Sequence, residues 1–413
     1  MPSPKIAIIG AGPAGCMLGR ILSLSNIPFI IYESDVSPNY RSQGGSLDLH
    51  HGTGLAAMKD AQLWDEFMKY ARFDGDYLMM ADKELKPFIQ LGPSSKLSER
   101  PEIDRAQLRQ LLTESLPDGC IKWGHRLQRV EDGNVLVFEH GTESGYDLVI
   151  GCEGAWSKVQ SYIEPAVKPH YTGLGGHQLR IPDAAHNAPN VYKTVNRGSV
   201  FASSNGQRMM IQQLGDGSLS AAWLTRRPED WAQTCGYDPH NFEEVKKAIL
   251  EEMHDWGPDA REAIERTQEC TGDPRKLYML PVGWQWEHRR GVTIIGDAAH
   301  LMTPFGGEGV NVALDDARKL AAAITKVVQS GGGLDELDKE VQIFEKAMFP
   351  RMEIYNRQAD EMMKLWFFSE GNMRDVIPKV MFGHAKVRLP TVMHPVAWGL
   401  VNLYWFLKTR FYG

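Results

Sequence analysis

Residues 5–33 read KIAIIGAGPAGCMLGRILSLSNIPFIIYE. The run from Lys5 to Gly10 is short and apolar, Pro13 to Leu24 carries helical periodicity, and Pro28 to Glu33 is a second β-rich run. Strand, glycine turn, helix and strand in that order make a βαβ unit, which predicts a parallel sheet and an α/β fold. The turn itself, Gly10-Ala11-Gly12-Pro13-Ala14-Gly15, is a G-x-G-x-x-G. In that setting Gly10 permits the tight turn, Gly12 lets a pyrophosphate approach the backbone, and Gly15, beside Ala14, lets the helix close on the strand. The helix N-terminus offers N–H donors and positive partial charge to phosphates. Glu33, at the end of the second strand, is placed to accept from ribose hydroxyls rather than to meet a 2′-phosphate.

Composition is consistent with a soluble enzyme larger than one typical domain. The chain has 413 residues, 43% hydrophobic and 23% charged, with a net charge of -7 that argues against a general affinity for nucleic acid. Five cysteines (Cys16, Cys120, Cys152, Cys235, Cys270) lack CxxC spacing and are odd in number, which suits neither a disulfide framework nor a zinc site. No signal-peptide pattern precedes the first strand, so a cytoplasmic enzyme is expected. Val396 to Leu407 is mostly apolar and rich in Trp and Tyr, but it falls short of the ~20 residues a spanning helix needs.

Further along, residues 104–116 read as a helix opened by Asp104, and 146–154 return to a buried strand. Between 171 and 225 the pattern changes to strands with turn signals, which predicts an antiparallel sheet in a second domain. The apolar run 291–297 re-enters the first domain, and 310–328 and 334–365 follow as long helices. The expected division is a nucleotide domain in three pieces (1–75, 100–170 and 281–328), a substrate domain in two (76–99 and 171–280) and a helical region from 329 to 413.

The second chemical signal is Gly296-Asp297-Ala298-Ala299-His300, continuing LMTPFGGEGVN to Asn311. A strand delivers Asp297 at its end, a loop carries Pro304, and Gly307, Glu308 and Gly309 lead into a helix. Such a segment suits a flavin. Asp297 is positioned to accept from ribityl hydroxyls, and the N–H groups of Gly309, Val310 and Asn311 would face the edge where a reduced flavin gathers negative charge. His300 reads as a structural hydrogen-bonding residue.

GAGPAG at 10–15, IDRAQLR at 103–109 and GDAAHLMTPFGGEGVN at 296–311 together resemble the class A flavoprotein monooxygenases of the para-hydroxybenzoate hydroxylase fold. Within that family, GGSLDLHHGTG at 44–54 and RPEIDRAQLRQLL at 100–112 are most similar to the tetracycline-inactivating enzymes. The resemblance implies a Rossmann-type FAD-binding domain with an inserted antiparallel-sheet substrate domain and long C-terminal helices. It implies that Asp48 and Arg105 touch the FAD, that Arg109 supports them, and that Asp297 and Gly307 to Val310 cradle ribityl and ring. It also places Arg41 near the approach of NADPH or NADH. The middle motif departs from the family's Asp-Gly, reading Cys152-Glu153-Gly154, and Ser199 and Ser220 stand where the tetracycline-inactivating enzymes offer Arg and His.

The resemblance implies FAD reduction by NAD(P)H, reaction with O2 to a flavin C4a-hydroperoxide, and hydroxylation of an aromatic, phenolic or polyketide-like substrate. A flavin oxidase or dehydrogenase without oxygen transfer, a halogenase suggested by Gly283-Trp284-Gln285-Trp286, and a non-catalytic flavin binder are the alternatives. Gln178 and Arg180 share a strand face by period two and are assigned to the substrate with Met210, Pro304 and Phe305. A monomer is expected. The apolar helix near the C-terminus is expected to pack on the two domains or to bracket the substrate pocket; its few basic residues count against a membrane, and a dimer contact is the third reading.

Overall fold

The structure, a computed structural model, describes residues 3–38, 44–75, 77–92, 100–370, 373–387 and 389–411. The βαβ unit at the start forms as the pattern requires. Strands Ile6–Ile9 and Phe29–Tyr32 pair in parallel, and helix α1 (Pro13–Leu24) crosses between them, opened by Pro13 where a missing N–H costs nothing. Leu148–Gly151 and Val292–Ile294 extend one side of this sheet and Ile121–Lys122 the other, giving five parallel strands assembled from distant parts of the chain. The middle strands are buried throughout, which explains why they read as unbroken apolar runs rather than as alternation. Three short antiparallel strands, Leu127–Glu131, Val135–Phe138 and Gly141–Glu143, form a small separate sheet that the sequence pattern does not single out.

The second sheet has eight strands. Its centre is β1 (His170–Ile181), β2 (Ser199–Ser204), β3 (Gln207–Gln213) and β4 (Leu219–Arg226), ordered β1-β4-β3-β2 and antiparallel throughout. The expectation of a wholly antiparallel sheet needs one correction. Leu78–Ala81, arriving from an earlier segment, pairs parallel to β2. With its antiparallel partner Pro87–Leu91 it joins the edge from outside the local meander, so no tight turn to β2 fixes its direction. One face of the sheet is sealed by a cluster of Val200, Met209, Ile211 and Trp223 against Val245, Ile249 and Ile264 of covering helices. On the opposite face Met210 packs into a cluster with Phe305, Met362 and Trp366.

Helix α2 (Arg105–Glu114) packs on α1. Beyond the last parallel strand come α3 (Gly309–Gln329) and α4 (Leu334–Met363), and α3 lies along α1. Then α5 (Met373–Lys386) and α6 (His394–Phe411) close the described chain. No helix among the described residues is long and apolar enough to cross a membrane. The expectation that α6 is covered by the two domains holds only for the stripe formed by Val401, Trp405 and Lys408. The large apolar residues Val396, Leu400, Leu403 and Phe406 face outward, each more than half exposed.

Candidate active site

The glycine turn separates into two kinds of glycine. A Cβ on Gly15 would sit 2.0 Å from the Gly10 carbonyl oxygen, and one on Gly10, where φ is +103°, 2.6 Å from the Cys152 oxygen. Those two are required by the protein's own packing. Gly12 is different: a Cβ there would meet nothing closer than the Cys152 oxygen at 4.0 Å, so the space above it is open. Glu33 was expected at a ribose, yet its carboxylate is buried and used within the protein. Oε2 accepts from Ala11 N at 2.7 Å, and Oε1 accepts from Asp35 N at 2.8 Å and from Ser34 Oγ at 3.0 Å. Its first task is to pin the glycine turn. Ala14 reaches the second motif directly, since a Cβ on Gly296 would lie 3.3 Å from the Cβ atoms of both Ala14 and Ala313.

Asp297 is exposed at the start of the short helix Asp297–His300 that follows the buried strand Val292–Ile294, and Arg105 is exposed at the start of α2. Burial draws the Arg105 pKa down, and the Asp297 carboxylate opposes that shift, so the two charges lie within electrostatic reach of one another. Arg275 stands close enough to Arg105 for like-charge repulsion to add to burial in lowering its own pKa. Sequence reasoning missed Arg275. Arg109 is buried and gives Nη2 to Asp35 at 2.8 Å, leaving Nε and Nη1 without a protein acceptor. Two orphaned guanidinium donors are costly unless something accepts from them. Arg41 lies outside the described residues.

A buried clasp joins the segment after Asp48 to the start of α3. His50 Nε2 lies 2.7 Å from Asp48 Oδ2 and Nδ1 lies 2.9 Å from Glu308 Oε2. Burial works against a charged imidazole here, but the two carboxylates override it and hold the His50 pKa up at about 9. Asn311, expected to act through its N–H, is fully buried and uses its side chain structurally. Its Oδ1 accepts from His50 N at 2.7 Å and its Nδ2 donates to the Asp48 carbonyl at 2.9 Å. Beside this clasp Gly307 is exposed at φ +70°, and neither Gly307 nor Gly309 has a protein atom where a side chain would go. Pro304 is exposed and Val310 half-buried on the same stretch.

The inner face of the second sheet is read from its register. Phe201, Met210, Ala222 and Gln178 form one cross-strand row, and Ser199, Gln212, Ser220 and Arg180 the next. Gln178 Nε2 donates to Ser220 Oγ at 2.6 Å and lies 3.4 Å from where a Gly44 side chain would begin. Met210 packs into an apolar cluster with Phe305, whose ring is 5.0 Å from that of Phe367. Arg180 shares the face as expected, but its guanidinium is taken. It meets Asp216 at 2.5 Å and Glu269 at 3.3 Å, at the rim, so it is a surface ion-pair residue rather than an open cation above a ligand. Arg208 is the cation that period two on β3 would have placed here. It is buried, donates to Ser203 Oγ at 2.9 Å, stacks 4.0 Å from the Trp366 ring and has no partner at Nε; burial lowers its pKa to about 9.

With this geometry in place, comparison with known proteins is decisive. The family model described as FAD binding domain matches residues 4–349. The chain belongs to that family. Monooxygenase asqM of Emericella nidulans is 26% identical over 88% of this chain and 94% of its own length. In fold, the chain is similar to Klebsiella pneumoniae HpxO complexed with FAD and uric acid, at TM-score 0.73 and 17% identity over 97% of this chain and 96% of the other. It is also similar to tetracycline destructase Tet(51), at TM-score 0.68 and 18% identity over 94% of this chain and 100% of the other. The protein is an FAD-dependent monooxygenase with the class A flavin monooxygenase fold.

The residues of this flavoprotein fit the cofactor on independent grounds. Gly12, Gly307 and Gly309 leave open backbone, Arg109 offers two unclaimed donors, and Asp297 is an exposed acceptor between buried neighbours. His300 is fully buried against Asp316 at 2.5 Å, and Asp316 also receives Arg351 at 2.6 Å, so His300 fastens the flavin loop to α3. Burial opposes the Asp316 charge, but His300 and Arg351 together keep its pKa low. In the unusual middle motif, Glu153 accepts from the N–H groups of Lys158 and Val159, thereby capping the following short helix.

Proposed function

We propose that this monooxygenase uses NADPH or NADH and O2 to hydroxylate an aromatic, phenolic or polycyclic polyketide-like molecule. The reaction consumes NAD(P)H, a proton and O2, places one oxygen atom on a substrate carbon and releases the other as water. The observation that supports it is the convergence of the polar and apolar rows of the second sheet on the Gly44–Gly45 segment and Arg105. A Gly45 side chain would begin 3.8 Å from Arg105 Nε and 3.9 Å from both Gln178 Nε2 and Gln212 Oε1. A planar substrate lying there would meet hydrogen-bonding groups at one end and Phe201, Met210 and Phe305 at the other.

Bound FAD supplies the redox chemistry: acceptance of hydride and delivery of one oxygen atom from O2. Asp297, Arg105 and Arg109 would hold its polar chain, with phosphates at the open Gly12 and the N-terminus of α1. The N-terminus of α3, with Gly307 and Gly309, would place positive partial charge against the ring edge that becomes negative on reduction. His50 keeps a proton between Asp48 and Glu308 and so fixes the loop beneath that ring. The apolar cluster around Phe305 and Trp366 excludes water from the oxygen-transfer side. The fold shared with a tetracycline destructase and with a protein crystallised with uric acid supports a planar, polyfunctional substrate.

A panel of phenols, aromatic polyketides and tetracyclines should contain compounds that stimulate NAD(P)H consumption, with a product one 18O heavier when 18O2 is supplied. Substrate oxidation without 18O incorporation would replace this reading with that of an oxidase or dehydrogenase.

A further inference from the structure

Helix α6 is amphipathic in the inverted sense. At about 100° per residue, its inward half carries the polar groups His394, Asn402, Lys408 and Thr409 beside the apolar Ala397, Val401 and Trp405, and Lys408 Nζ donates to the Phe88 carbonyl at 2.6 Å. The outward half presents Val396, Leu400, Leu403, Tyr404, Phe406 and Leu407, all exposed. Of the 18 large apolar side chains exposed among the described residues, 10 lie between Leu389 and Leu407, so this is one continuous patch rather than scattered surface leucines. The helix buries only a narrow stripe, on α5 and on Trp405's neighbours.

Charge selects among the things that could cover it. From residue 376 to 413 there is no Asp or Glu, and residues 373–413 carry a net +5, leaving -12 for the rest of the chain. Arg410 lies on the outward half itself and Lys379 is exposed on α5. A two-fold pairing of this face with a second copy would set like charges against each other. An anionic lipid surface would instead receive the apolar side chains among its acyl chains, the aromatic rings at the boundary and the basic groups among its headgroups. Between α4 with the helical turn Lys364–Phe368 that follows it, α5 and α6 lies a cavity of about 840 Å³, walled by Leu365, Phe368, Phe382 and Trp398 and edged by Lys379 and by the ion pairs Lys364–Asp360 and Lys386–Glu361, so the apolar surface continues inward beneath a charged rim.

We propose that α6 is a membrane-surface helix that seats this monooxygenase on anionic bilayers, lying in the interface without crossing it. The few basic residues noted from the sequence are enough because residues 376–413 hold no acidic side chain, although Lys386 is paired with Glu361 of α4, and because the apolar face, once seen to be exposed, supplies the greater part of the attachment. Each basic group near an anionic surface strengthens binding about fivefold.

The test is flotation of the full-length FAD-loaded protein with vesicles of phosphatidylcholine alone and with about one-third phosphatidylglycerol, repeated for the double variant Leu400→Glu, Leu403→Glu. Wild type is expected to float with the anionic vesicles and at least about tenfold less well with the neutral ones. The variant is expected to stay in solution with unchanged flavin content and unfolding midpoint, because both positions already face outward. Absence of wild-type binding to either vesicle would overturn the proposal, and equal binding to both would overturn its anionic character. A dimer in sedimentation that the double variant abolishes, without vesicle binding, would assign the face to a second copy instead.

Discussion

The glycine turn at 10–15 and the inner face of the second sheet are the two regions assigned to the proposed active site, but they are encoded in opposite ways. In the turn, four functions fall within six consecutive residues, each fixed by how closely one backbone approaches another. On the sheet, Phe201, Met210, Ala222 and Gln178 are neighbours only because three strand pairings happen to be in register. Local encoding is rigid and unforgiving, whereas register encoding tolerates exchange of side chains at a fixed position. Substrate choice can therefore vary on a constant cofactor frame.

The largest effect should come from within the turn and should split its glycines. Gly15→Ala forces a Cβ to 2.0 Å from a backbone oxygen that cannot move without shifting strand or helix. A loss of more than about 4 kcal/mol, read as failure to accumulate folded protein or a collapse of the urea midpoint, is expected. Gly12→Val should fold with a near wild-type midpoint, since Gly12 has φ -78° and ψ -179° and open space beside it, while losing bound FAD and the yellow colour. Normal FAD content in Gly12→Val would break the assignment of the pyrophosphate to this turn.

That same split marks what could be read from sequence. The βαβ unit, the return of the chain at 291–297 and the long helices α3 and α4 were legible because hydrophobic period and glycine chemistry are local. Asp297 was legible through its motif and Arg105 and Arg109 through the family resemblance; Arg105 lies within electrostatic reach of Asp297, and Arg109 is buried on Asp35 with two donors to spare. Glu33 and Asn311 were found, but the intraprotein partners of their side chains were not: a carboxylate at a strand end looks the same in sequence whether or not it also accepts from the N–H of Ala11, 22 residues away. His50 stood in a quoted motif without a role, because its partner Glu308 is 258 residues distant. Arg208 was within reach of period-two reasoning from Met210, but its neighbour Trp366 comes from the helical turn Lys364–Phe368 that follows α4, which no strand pattern reports.

The clasp between Asp48, His50 and Glu308 tests whether a long-range contact can matter as much as a local one. The His50 pKa is raised in the folded state from 6.5 to about 9. A group raised in this way contributes its full stability below the unfolded value, here about pH 6.5, and loses it as pH rises through 9. The shift corresponds to on the order of 3 kcal/mol. Urea unfolding at pH 6, 7.5 and 9 should therefore show a falling component in wild type that is absent in His50→Gln. The variant should be weaker by about 2–3 kcal/mol at pH 6 and nearly equal to wild type at pH 9. A pH-independent difference between the two proteins would mean that the imidazole is held by shape and not by charge.

The smallest effects should separate two residues on one strand that sequence reading treated alike. Arg180 meets Asp216 and Glu269 at the rim, with its own side chain 33% exposed and its partners 54% and 48%. Such exposed pairs contribute under about 1 kcal/mol, so Arg180→Ala should leave stability, FAD affinity and substrate KM close to wild type. Gln178→Leu has a similar small cost in stability, about 1–2 kcal/mol for the stranded Ser220 hydroxyl, but its kinetic consequence should differ. The amide lies on the row beside Met210 and next to the Gly44–Gly45 segment, where a substrate oxygen would be oriented. Its removal should raise KM for the hydroxylated compound and increase NAD(P)H consumed per product, with FAD affinity unchanged. If Arg180→Ala instead produced the larger KM change, the substrate would lie toward the open rim of the sheet, and the apolar row ending at Phe201 would be packing alone.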